Sequence, residues 1–138
     1  MDLALIWLHV SGNLVWIGSI LAVGLALAGG GADELKARGR IASDIYRRLA
    51  VPAFLVSFVC GAIRLGKNAK LYLHDTHWMH GKLLLALIVI ALHHVIGARA
   101  RKAAVGAVQD AGPTGILTLV LALAAVGAAF FAIFKVPT

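Results

Sequence analysis

His80-Gly81-Lys82, then ten apolar residues from Leu83 to Leu92, then His93-His94: this stretch decides how the chain is read. A lysine and three histidines bracket a segment apolar enough to lie in a bilayer. Ionisable side chains at membrane depth are costly, so they face a bundle interior and mark a site. Both the fold and the chemistry are sought outward from this segment.

Three other apolar segments accompany it. Together the four cover roughly residues 3–28, 49–65, 79–98 and 114–134. A membrane-spanning helix needs about 20 residues, and about 17 is the lower bound that the second segment reaches. The breaks between them are polar or glycine-rich. Gly29-Gly30-Gly31 ends the first, Gly66-Lys67-Asn68 ends the second, and Gln109-Asp110-Ala111-Gly112-Pro113 leads into the fourth. Residues 40–48 suit a short interfacial helix ahead of the second span. With 61% hydrophobic and only 14% charged residues, the 138-residue chain lies outside the soluble range. The expectation is a single all-α domain over residues 1–138, an integral membrane four-helix bundle with short loops. Ala26-Leu27-Ala28 resembles a signal-peptidase site. However, Met1-Asp2 offers no basic region and the apolar stretch is too long for a cleaved leader, so span one is read as a working helix.

The net charge of +7 fits this class. Its basic residues are spread over connections between spans, which excludes a nucleic-acid face and suits positive-inside topology and anionic lipid. The first connection holds Lys36, Arg38, Arg40, Arg47 and Arg48, and the third holds Arg99, Arg101 and Lys102. Arg64, Lys67 and Lys70 border the second, and Lys135 lies in the tail. The first and third connections are therefore expected in the cytoplasm of a bacterial-type inner membrane, with both termini outside. Cys60 has no internal disulfide partner and is read as packing.

His9 heads the candidate residues of span one. Gly12, Asn13 and Trp16 follow it at helical spacing, giving one stripe with a ligand nitrogen, a gap, an amide and an indole. A flat macrocycle needs such a face. Spans one and three run the same way, so His9 and His80 are expected at comparable depth. Two neutral imidazoles on facing helices can clamp a haem iron, and bundles build cofactor sites in this way. One bis-histidine haem b per chain is the expectation, with His9 and His80 as axial ligands and Asn13 and Trp16 beside it. Lys82 suits a propionate partner or a cation reaching the outer interface. His93 suits proton transfer or an interfacial position next to Arg99, and His94 an interfacial position. Arg47 and Arg48 suit a carboxylate clamp or cytoplasmic anchoring. His74, His77 and His80 with Met79 form a weaker constellation that could take copper. Gly12, Gly18 and Gly24 along span one offer close approach to another helix, in a homo- or hetero-oligomer.

These residues together resemble the HemJ-type protoporphyrinogen oxidase family of small four-span membrane proteins. The resemblance rests on His9 and Trp16, on Tyr46-Arg47 leading to Pro52 and Gly61, and on Trp78-Met79-His80-Gly81-Lys82 with His93-His94. The tail Phe134-Lys135-Val136-Pro137 is also similar. Leu92 stands where the family has a tyrosine, and Asp110-Ala111-Gly112-Pro113 replaces its polar approach to span four. Trp16-Ile17-Gly18 is similar to CopD-type copper-resistance membrane domains as well. The resemblance implies haem-b-dependent oxidation of protoporphyrinogen IX to protoporphyrin IX, in porphyrin biosynthesis. Lys82 and His93 would be its catalytic residues, and electrons would pass to a membrane quinone or redox partner. A haem-b electron carrier without porphyrinogen turnover, or a copper-handling membrane protein, are the alternatives from other classes.

Overall fold

A computed structural model describes residues 2–134; Lys135 and the rest of the tail similarity lie outside them. Among the described residues the chain is helical, with no strand. The elements are α1 (Asp2–Ala28), α2 (Leu35–Ile45), α3 (Val51–Lys67), α4 (Trp78–Ala104) and α5 (Thr114–Phe134). Four stretches are long and apolar enough to cross a membrane: Leu3–Ala28, Ala32–Lys67, Trp78–Ala104 and Thr114–Phe134.

The second stretch departs from the sequence expectation. No separate interfacial helix precedes the span. Instead α2 runs into α3 through a π-helical segment, Tyr46–Ala50, in which the Val51 amide donates to the Tyr46 carbonyl. Pro52 gives the physical reason: it has no N–H for the Arg48 carbonyl, and its ring would collide with that carbonyl in a regular α-helix. A wider turn relieves the collision and bends the rod. At 36 residues the stretch is about 54 Å long, more than the ~30 Å hydrocarbon core. Its α2 half is the polar part. Lys36, Arg40 and Asp44 are exposed there, while Leu35, Gly39, Ala42 and Ser43 are buried.

Small residues set the packing. A Cβ on Gly39 would lie 2.6 Å from the Ala103 carbonyl carbon, so α2 and α4 meet backbone to backbone. Gly97 receives the Tyr46 ring, Gly12 faces Ser57 and Ala53, and Gly24 faces Thr118. Gly18, on another face of α1, borders open space. The core runs through Trp16, Ile20, Val23 and Leu27 of α1 to Ile96 and Ala100 of α4 and Leu121 of α5.

Two arginines close helix ends. Arg38 donates to the Ala26 and Leu27 carbonyls at the end of α1, both at 3.1 Å. Arg99 donates to the Ala111 carbonyl and to Thr114 Oγ1, holding the turn that starts α5. These contacts satisfy polar groups that a helix terminus leaves without partners.

Candidate functional site

The bend at Tyr46–Ala50 makes the site. Before it, α2 packs closely on α4; beyond it, α3 packs on α1 and scarcely approaches α4. The two walls α3 and α4 therefore part, with α1 between them as a floor. Tyr46, Phe54 and His93 lie at the apex of this cleft. His9, Arg64 and Lys82 lie toward its wide end.

His9 is half-buried on the floor. Its Nδ1–H donates to the Ser57 carbonyl at 2.7 Å. Its Nε2 lone pair accepts from the Asn13 amide at 3.2 Å. Ser57 returns its hydroxyl proton to the His9 carbonyl at 3.1 Å. A histidine that donates Nδ1–H to a backbone carbonyl has its tautomer and ring direction set for ligation through Nε2. Gly61 completes the seat, since a Cβ there would lie 2.8 Å from His9 Cε1.

Arg64 and Lys82 stand within electrostatic reach of His9 and of each other. Both are partly buried. Among the described residues the ion pairs are Arg38–Glu34 and Arg47–Asp44, and none joins Arg64 or Lys82 to a carboxylate. Two partly buried cations without an anion favour an anionic ligand. Arg64 was read from sequence only as a topology marker. Its position three residues beyond Gly61, inside the span, was the signal that it does more.

The apex is aromatic. Trp16 Nε1–H donates to His93 Nδ1 at 3.0 Å. Rings of Tyr46 and Phe54 lie 4.9 and 5.1 Å from that of His93, each tilted by about 30°. An indole nitrogen only donates, so Nδ1 must carry the lone pair, and neutral His93 carries its proton on Nε2. That Nε2 is buried and has no hydrogen-bond partner, and His93 is 0% exposed. While the Trp16 bond stands, His93 has no free lone pair. In this arrangement it presents a hydrogen-bond donor, Nε2–H.

The other expected residues lie elsewhere. His80 is exposed, its nearest ring partner being His77 at 6.1 Å. His80 and Lys82 are about 200° apart around α4, so turning Lys82 toward His9 turns His80 away. The Trp16–His93 pairing also places His80 level with Leu3, about 9 Å along α1 from His9. The expected His9–His80 clamp is thus not assembled. His74 and His77 are exposed, and the turn at Leu71–Asp75 breaks at Thr76, so the three loop histidines share no helix face. Among the described residues no three His, Cys, Asp or Glu side chains form a metal-holding group. Arg47 and Arg48 are exposed on the α2 side, and Arg47 pairs with Asp44 at 3.1 Å. His94 is exposed beside Phe54.

The groups at the wide end that could hold a haem are His9, through Nε2 with the Ser57 carbonyl fixing its ring, and the cations Arg64 and Lys82. No protein-family model, curated protein or solved structure matches the chain.

Proposed function

We propose that this chain is a haem-b-binding oxidoreductase of a bacterial-type inner membrane. Its proposed reaction is the oxidation of protoporphyrinogen IX to protoporphyrin IX, with electrons passed to a membrane acceptor. One observation carries the reading: His9, pinned through Nδ1 with Nε2 in acceptor form, sits beside two cations that have no anion among the described residues. Haem and porphyrinogen both carry two propionates, which the cations suit, and a haem iron also takes an imidazole nitrogen. When bound, a haem supplies one-electron redox steps. The chain's own residues bind and orient. His9 offers Nε2 once the Asn13 amide turns aside. Lys82 and Arg64 hold carboxylates at the edge of the span, where arginine adds a planar fork. The parted walls of α3 and α4 give a planar ligand lateral access from lipid.

Topology follows the same reading. Lys36, Arg40, Arg47, Arg48, Arg101 and Lys102 are all exposed around the α2–α4 contact, at one end of the bundle. We place that end in the cytoplasm, by the excess of cations there.

The test is an oxidised-minus-reduced absorption spectrum of the detergent-purified protein, with pyridine haemochrome quantification. One b-type haem per chain is expected, abolished in His9→Ala and retained in His80→Ala. Lys82→Met with Arg64→Met should weaken retention. Turnover of protoporphyrinogen then separates an enzyme from a haem-b carrier. A protein that holds no haem and takes none up on reconstitution overturns the reading.

A further inference from the structure

The wide end of the cleft leaves one feature of the apex unexplained. His93 Nε2–H is a wholly buried donor with no acceptor among the described residues. A buried polar group without a partner costs about 1–3 kcal/mol, so a wholly buried one calls for an explanation, such as a bound molecule that accepts from it. The Trp16 bond narrows that use, because it prevents His93 from serving as base or metal ligand. What remains is donation to an oxygen.

The surroundings define which oxygen. Tyr46, Phe54 and Trp16 make a ring-lined wall around the imidazole. Phe54 is only partly buried, and it touches both the buried His93 and two exposed, membrane-level rings, His94 and Phe58. A shift of Phe54 would open His93 to the lipid side of the cleft. No charged side chain is recorded in contact with His93, so a neutral ligand is favoured over an anion. A flat, neutral, lipid-soluble molecule with a carbonyl meets every one of these conditions.

We infer that the apex is a binding site for a membrane quinone, whose carbonyl oxygen accepts from His93 Nε2–H while its ring takes the place beside Tyr46 that Phe54 vacates. Access runs from the bilayer past Phe58 and His94, with Phe54 as the covering side chain. The site lies level with Trp16, seven residues and about 10 Å along α1 from His9. The assignment of this quinone as the electron acceptor rests on the redox function proposed above; the binding site does not.

The experiment titrates purified protein in detergent with a decyl-substituted 1,4-benzoquinone, read by tryptophan quenching and by calorimetry. His93→Phe keeps an aromatic ring and removes the donor; His93→Gln keeps an N–H. Saturable binding is expected in the wild type. About tenfold weakening is expected in His93→Phe, the upper end for one hydrogen bond, and a smaller loss in His93→Gln. Phe54→Leu should speed association. Absence of saturable binding, as for a donor that holds a resident water only, overturns the site. Equal affinity in His93→Phe and wild type overturns it too. If His93→Phe does not fold, His93→Gln and Phe54→Leu decide: binding indifferent to both rejects the site. The haem spectrum is a separate readout. An intact haem signal without quinone binding rejects this site alone, and quinone binding without haem rejects the proposed function alone.

Discussion

At the scale of single residues, the histidines divide by hydrogen-bond role rather than by depth. His9 gives its Nδ1 proton to Ser57 and keeps an acceptor at Nε2. His93 accepts at Nδ1 from Trp16 and keeps a proton at Nε2. The same side chain is therefore a potential ligand in one place and a donor in the other, and the neighbour makes the difference. Gly61 carries a prediction at this scale. Its Cβ in Gly61→Ala would sit 2.8 Å from His9 Cε1, tighter than any ordinary contact, so the ring must move. Haem occupancy is expected to fall well below one per chain, with a shifted Soret band in what remains. A spectrum equal to wild type would show that the His9 ring direction is unimportant.

Among the elements, glycine position separates packing from mere spacing. Gly18 and Gly24 lie on the same helix six residues apart, about 120° from each other around it. Only Gly24 meets a neighbour, since its Cβ would overlap Thr118 of α5. Gly24→Ala is expected to destabilise the bundle by about 1–3 kcal/mol through overpacking. Gly18→Ala should be neutral or slightly stabilising, because nothing lies within 4 Å and alanine favours helix. Thermal unfolding of the two variants in one detergent checks the contrast. Equal shifts would mean that α1 and α5 do not pack through Gly24. The π-helical segment works at this scale as well. It turns α3 off α4 and creates the cleft that both proposals use.

For the whole molecule, the cations sort into two populations by end. Arg38 and Arg99 are occupied with helix-terminal carbonyls, while the exposed cations near them face the surface. Arg64 and Lys82, toward the other end, belong to the cleft. The orientation we propose is testable with single cysteines in a Cys60→Ala background. A membrane-impermeant thiol reagent should label Asn68→Cys in intact cells, and Gln109→Cys only after lysis. The reverse pattern would invert the topology and put the cleft mouth on the cytoplasmic side.

Hydropathy and helical spacing by themselves determined four spans, their approximate limits and the set of ionisable residues at membrane depth. These are properties of local composition, because burying a backbone in lipid demands a helix wherever the side chains are apolar. The 3.6-residue period also determined that His80 and Lys82 face different ways. Which of the two turns inward was decided only by tertiary structure, through the packing of α4 against α1 and α2. Pairing His9 with His80 required a choice of neighbour, and a period gives a face but not a partner. Pro52 by itself calls for a wider turn before it, but where that turn sends α3 depends on α2 being held on α4 through Gly39. Ser57, Phe54 and Arg64 carry no motif of their own. They enter the site because the bend brings α3 onto α1 and away from α4.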